Sequence, residues 1–324
     1  MNKYKILYLS QEDVKKCITV RESIDSVEEG MKLCGNGKTI HPPKIYMEIE
    51  KYHGFIKPMI AFADEPMNIS ATKNFSFFPE NRKTGLPTVH ATIILNNPQN
   101  GLPLAIMDGT IITALRTAAT TAVAAKYLAK TDSNIIGIFG AGVQGRSHLL
   151  CLSELFDISS VRVGDISKKY RDEFAKEMSK KLGIEVKAVE GKKDVVRGAD
   201  IIITCTTGNE PLVMKEDVEP GMFIGKVGSY QEIDFGVIDV VDKYVIDFWE
   251  YVSHRVPEIR DAKVEHEDIY AEIAEIVAGR KKGRINSYEK ILFVSIGMGI
   301  EDAAVGLKVY ENAKTLNIGK WLEA

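Results

Sequence analysis

Residues Ile135-Ile-Gly-Ile-Phe139 run straight into Gly140-Ala-Gly-Val-Gln-Gly145, an apolar strand entering a glycine-rich turn, and Asp165 stands twenty residues beyond the last of these glycines. In this pattern the first glycine permits a tight turn and the second lets the backbone approach a pyrophosphate. The third lets the following helix pack close to its strand, with its N-terminal dipole facing the anion. A bare GxGxxG is weak and could be a turn with no ligand. Here a helix-compatible run over 143–156 and a second strand, Val161–Gly164, ending at Asp165 supply the required context. Residues Gly140, Gly142 and Gly145 are therefore expected to hold a dinucleotide. A carboxylate at 165 accepts hydrogen bonds from ribose hydroxyls and repels a 2′-phosphate, so NAD is favoured over NADP. Lys168, Lys169 and Arg171 would soften that preference unless they belong to a solvated helix face.

The turn begins only after about 130 residues, so a sizeable unit precedes it. From Ile135 onward the alternation of a doubly wound sheet is visible: strands at 135–139, 161–164, 185–189, 200–205, 222–227 and 244–248, with helices at 143–156, 168–182 and 192–198 between the earlier ones. A helix over 258–278, the apolar run 291–295 and a last helix over 300–316 follow. The first 110 residues are strand-rich, at 4–9, 45–50, 54–62 and 71–77 and in a hairpin of 90–95 with 102–107, after a helical stretch over 11–34. An alanine-rich helix, 112–128, has small side chains suited to close packing of one domain on another. The composition, 45% hydrophobic and 27% charged, is that of a globular protein, and 324 residues allow two cores. A formal charge of −3 without a basic block gives no case for nucleic-acid or membrane binding. Four widely spaced cysteines form no CxxC pair, the six histidines no metal spacing, and the N-terminus no signal segment. A cytoplasmic protein without a metal is expected.

If a nicotinamide cofactor is bound, hydride transfer follows, and the first domain must fix the substrate. Three cations there stand in apolar or turn contexts: Lys44, Lys73 and Arg116. Arg116 lies in the alanine-rich helix with few polar neighbours. It is either a snorkelling arginine at a domain seam or a planar clamp for a carboxylate. Lys73, if desolvated, is a second clamp or a proton donor with a lowered pKa. Residues at the carboxyl ends of strands, Thr206 and Thr207 after one and Val227, Gly228, Ser229 and Tyr230 after another, are expected to border ribose and nicotinamide. Glu301 and Asp302 open the last helix, as dipole partners or as partners of a substrate amine.

Taken together these segments resemble the ornithine cyclodeaminase/μ-crystallin family, which includes archaeal-type alanine dehydrogenases and ketimine reductases. The resemblance spans nearly the whole chain. It rests on His41-Pro-Pro-Lys44-Ile-Tyr, Lys73-Asn-Phe-Ser-Phe-Phe-Pro-Glu-Asn81, Gly85-Leu-Pro-Thr88-Val, Gly101-Leu-Pro-Leu-Ala-Ile-Met-Asp108, Thr113-Ala-Leu-Arg116, the glycine turn and Gly297-Met-Gly-Ile-Glu-Asp302. It implies an α/β fold in which a Rossmann dinucleotide-binding domain, residues 116–299 with the bridging helix, is inserted in a mixed α+β substrate and dimerisation domain, residues 1–115 plus 300–324. It also implies a homodimer. Carried over by position, Lys44, Lys73 and Arg116 match the carboxylate binders, while Thr88, Arg116, Val143, Gln144, Asp165 and Val227 to Tyr230 match positions that touch NAD. Cyclodeaminases of the family carry an aspartate where Tyr230 stands here, in a loop about four residues longer. A phenol is a poor base at neutral pH but a good donor, and Glu232 or Asp234 could replace the aspartate if the short loop moved one inward.

The expected activity is NAD-dependent hydride transfer at the α-carbon of a small L-amino acid or ketimine. Lys44, Lys73 and Arg116 would hold the carboxylate, Met59, Phe75 and Tyr230 would bound the pocket, Lys73 or Tyr230 would assist proton movement, and Asp302 would be a catalytic partner of the substrate amine. The alternatives are an ornithine cyclodeaminase making proline and ammonia with catalytic NAD, and a non-enzymatic cofactor binder.

Overall fold

The computed structural model describes residues 4–262 and 264–323. Along the chain lie β1 (Lys5–Leu9), α1 (Gln11–Lys16), α2 (Val20–Gly35), β2 (Thr39–Ile40), β3 (Met47–Ile49), β4 (Gly54–Ala63), β5 (Ile69–Phe77), β6 (Val89–Asn96), β7 (Pro103–Asp108) and α3 (Thr110–Leu128). The alternating portion follows as β8 (Ile135–Phe139), α4 (Val143–Ser153), β9 (Ser160–Gly164), α5 (Lys168–Leu182), β10 (Glu185–Val189), α6 (Lys192–Val196), β11 (Ile201–Thr204), β12 (Phe223–Val227) and β13 (Lys243–Ile246). Then come α7 (Trp249–Val252), α8 (Pro257–Arg260), β14 (Ala271–Glu272), α9 (Ile273–Val277), β15 (Ile291–Ser295), α10 (Gly299–Leu316) and β16 (Lys320–Glu323). Two compact units result, Met1–Arg116 with Met298–Ala324 and Thr117–Gly297, so that α3 passes from one into the other.

The first unit is built on a mixed sheet in the order β16-β1-β7-β6-β5-β4-β2, with β3 added on β4. Its central strands alternate, so Ala91, Ile93 and Leu95 of β6 and Ala105 and Met107 of β7 point to a buried face. Helix α10 packs on β4, β5 and β6 and against α2. The 11–34 stretch is two helices rather than one, because Ser10 and Thr19 each close a capping box and restart the helix after Cys17.

The second unit is a parallel sheet in the order β10-β9-β8-β11-β12-β15-β13-β14. Strands β8, β11, β12, β13 and β15 are almost wholly buried, which explains the apolar runs of β8, β11 and β15; β12 and β13 each bury one lysine, Lys226 and Lys243. Strand order reverses at β8, where β9 leaves on one side and β11 on the other, so the carboxyl ends there form the switch point of a doubly wound sheet.

The helix expected over 258–278 does not form. One turn at Pro257–Arg260 is followed by a short turn closed by Glu265 N–H donating to Asp268, after which Ala271 and Glu272 pair with Val245 and Ile246. Val256, Ile259 and Ile269 enter the core that includes Tyr244 and Ile246. Their apolar spacing is satisfied by turns wrapped on β13. Among the described residues no helix is long and apolar enough to cross a membrane.

Candidate active site

Two sets of candidate side chains are assembled, one in each unit. In the second unit, Gly140 takes φ 109°, a conformation side chains rarely adopt, and a Cβ on Gly145 would lie 2.1 Å from the Gly140 carbonyl oxygen. Helix α4 therefore starts hard against the end of β8. A Cβ on Gly142 would meet nothing within 4 Å, and this N-cap residue leaves the helix N-terminus without a side-chain cap. Open space in front of helix N–H groups that no side chain caps suits a pyrophosphate. Val143 is exposed beside it, and the buried Gln144 Oε1 has no hydrogen-bond partner. The Asp165 carboxylate accepts from Ala141 N at 2.9 Å and Ser167 N at 2.8 Å, fastening the end of β9 to the glycine turn, and its oxygens retain lone pairs for further donors. These residues fit a dinucleotide.

The strand-end residues lie across the switch point. Thr206 follows β11, and Thr207 beyond it is exposed; Val227, ending β12, is buried, and after it Ser229 is exposed and Tyr230 half-buried. Burial, reinforced by Glu232, raises the Tyr230 phenol pKa, so it can donate but does not act as a base at neutral pH. Glu232, weighed as a replacement base, accepts instead from the Thr206 amide at 2.6 Å and its hydroxyl at 2.7 Å.

In the first unit the cations converge on the N-terminus of α10. Lys73, on β5, is fully buried and donates to Asp302 Oδ1 at 2.7 Å. Arg116 Nε donates to the same oxygen at 3.0 Å and Nη1 to Glu301 Oε2 at 2.9 Å. Asp302 and Glu301 thus sit where the helix dipole favours them and also receive side-chain cations. Asp302 Oδ2 is buried without a hydrogen-bond partner. The bridging arginine is buried and ion-paired with the chain's own acids, so it does not snorkel to solvent. Met59, on β4, stands opposite Lys73 in the strand register. Thr88, expected at the cofactor, precedes β6 and accepts from Arg82 Nε at 3.2 Å.

One further buried cation is a candidate that the sequence reading does not single out. Lys57 is buried on the same face of β4 as Met59, with its ammonium 5.1 Å from the Tyr46 ring centre and 5.0 Å from that of Phe75. The signal was a lysine in the inward register of a strand. Burial, then the like charges of Lys44, Lys73 and Arg116, hold its pKa well below the usual lysine range. That ties half-buried Lys44 electrostatically to the same cluster. Burial and Arg116 lower Lys73 to about 7 against the opposing pull of Asp302. Burial opposes the charge on Arg116, but Asp302 and Glu301 outweigh it and raise its pKa.

A model of the ornithine cyclodeaminase/mu-crystallin family matches residues 5–317. Alanine dehydrogenase of Archaeoglobus fulgidus is 37% identical over 320 residues, covering 97% of both chains. The structure of Thermococcus litoralis Δ1-pyrroline-2-carboxylate reductase in complex with NADH and L-proline superposes with TM-score 0.93 at 42% identity, covering 97% of this chain and 99% of that one. An archaeal alanine dehydrogenase dimer with bound NAD gives TM-score 0.92 at 35% identity, covering 98% and 99%.

Proposed function

Because the chain belongs to the ornithine cyclodeaminase/mu-crystallin family, we propose that it is an NAD-dependent oxidoreductase interconverting a small L-amino acid and its imine, with a cyclic ketimine carboxylate as the preferred substrate. The observation carrying this reading is the gathering of buried basic side chains in the first unit. Three buried basic side chains, Lys57, Lys73 and Arg116, gather with two buried acids, Glu301 and Asp302, and half-buried Lys44 acts electrostatically on the same cluster. A carboxylate entering such a site favours the ammonium forms of Lys57 and Lys73, which burial and like charge oppose, and a guanidinium fixes it directionally. The apolar and aromatic surfaces of Met59, Tyr46 and Phe75 suit the hydrocarbon part of a small ring.

When bound, the cofactor supplies the hydride to the imine carbon and takes it back in the oxidative direction. The chain's own residues do the rest. Arg116, held by Glu301 and Asp302, and Lys57, held against two rings, grip the carboxylate. Lys73, poised near neutrality, gives a proton to the imine nitrogen, and Asp302 keeps that proton available by favouring the ammonium form. Tyr230 can add a hydrogen bond but cannot take the part of a base, which disfavours cyclisation of ornithine. We further propose a cytoplasmic homodimer, the archaeal alanine dehydrogenase relative being a dimer.

The test follows absorbance of reduced nicotinamide with pyrroline-2-carboxylate, piperideine-2-carboxylate, pyruvate with ammonia, and ornithine. Consumption of NADH with a cyclic ketimine is expected. Conversion of ornithine to proline without net cofactor turnover would refute the proposal.

A further inference from the structure

Strands β11 and β12 are parallel neighbours, so the loops leaving their carboxyl ends run side by side. One carboxyl group joins them. Glu232 is fully buried; Oε1 accepts from Thr206 N at 2.6 Å and Thr206 Oγ1 at 2.7 Å, and Oε2 accepts from Thr204 Oγ1 at 3.2 Å. Thr206 Oγ1 in turn accepts from Gly208 N at 3.2 Å. The charged and titratable groups facing Glu232 are Lys226 on β12, Tyr230 in its own loop and Cys205 after β11. Lys226 is already matched by Glu258 at 2.8 Å, both side chains fully buried. Burial, with Glu232 beside them, raises the pKa of Tyr230 and Cys205, so both are neutral. An ionised Glu232 is thus the charge in this cluster without a dedicated counter-ion.

The position of this charge relative to a dinucleotide follows from the topology. Asp165 ends β9 on one side of the switch point and α4 starts at its middle, so the second nucleotide falls to the β11 and β12 side. We infer that Glu232 sets the preference between oxidised and reduced cofactor: its carboxylate, beneath the loops of the nicotinamide half, favours the cationic ring of NAD+ over the neutral ring of NADH. The inference rests on the dinucleotide reading above. Burial, opposed by the Thr206 bonds, lifts the Glu232 pKa to about 7, which makes the preference dependent on pH. Protonation need not break the network, since a neutral carboxyl can donate to Thr204 Oγ1 while still accepting from Thr206. Glutamine can do the same without the charge.

Dissociation constants for NADH, from its fluorescence, and for NAD+, by competition, are measured without substrate in the wild type and in Glu232→Gln. In the wild type, affinity for NAD+ relative to NADH should rise between about pH 6 and about pH 8. The variant should be flat across that range and shifted toward NADH by about fivefold at the alkaline end. A wild-type ratio independent of pH, or equal weakening of both forms in the variant, overturns the inference and leaves Glu232 as a loop fastener. The wild-type series decides the matter even if the variant misfolds. If the wild type binds neither form, the dinucleotide reading itself falls and this inference with it.

Discussion

Replacing Asp302 by asparagine isolates the negative charge on which the first unit's cations converge. The substitution keeps the shape and one carbonyl oxygen, yet removes the charge that Oδ1 presents to Lys73 at 2.7 Å and to Arg116 at 3.0 Å. Removing one partner of a buried pair costs about 3–5 kcal/mol because the other charge stays buried. Glu301 continues to hold Arg116 at 2.9 Å, so the loss should fall at the low end, about 3 kcal/mol. Loss of the first unit's sheet can be followed at Trp321, which lies on β16; Trp249 is the chain's other tryptophan. In a Trp249→Phe background, urea unfolding followed by Trp321 fluorescence should show the drop. Asp302 also raises the Lys73 pKa, which stands at about 7 with the carboxylate present. In the variant the decline of reductive kcat/KM with rising pH should move to lower pH by about one unit or more, a unit corresponding to about 1.4 kcal/mol. A stability loss under about 1 kcal/mol together with an unmoved pH limb would show that Asp302 does not hold these cations, and the proton-donor role of Lys73 would lose its support.

Substituting glycines of the turn should separate fold from cofactor binding. Gly145→Ala forces a Cβ to 2.1 Å from the Gly140 carbonyl and should cost several kcal/mol in unfolding experiments, whereas Gly142→Ala, with open space around it, should leave stability within about 0.5 kcal/mol yet weaken NADH binding about tenfold or more. Lys57→Leu removes a buried ammonium held by rings and flanked by like charges, so it should raise thermal stability while raising KM for a carboxylate substrate; unchanged KM would exclude Lys57 from the carboxylate site. The Lys73 pKa falls from 10.5 unfolded to about 7 folded, so between these values the unfolded chain keeps a proton the folded chain has released and stability rises with pH. Lys73→Met should flatten that rise in pH-dependent urea titrations, and a rise of undiminished slope would contradict the assignment.

Much of the second unit was legible because its rules are local. The run Ile135–Phe139 is apolar throughout since a central parallel strand is covered on both faces, and the span of α5, Lys168–Leu182, is punctuated by Ser167 as N-cap and Gly183 at its end. The residues 258–278 misled for the converse reason. Val256, Ile259 and Ile269 bury their side chains through turns and a short strand pairing, and one apolar spacing served either solution. Lys57 was overlooked because an inward lysine is unremarkable until Lys44, Lys73 and Arg116 surround it.

What the chain determined by itself is therefore what neighbouring residues can enforce: the glycine turn, with its clash-limited Gly145, the carboxylate at Asp165, and the alternation of strand and helix around them. The meeting of Lys73 with Asp302, 229 residues apart, and the descent of the Lys73 pKa to about 7 belong to the tertiary structure alone. A side chain's charge state depends on how much water it has lost and which charges replace that water, and both are set when β5 and α10 are packed together.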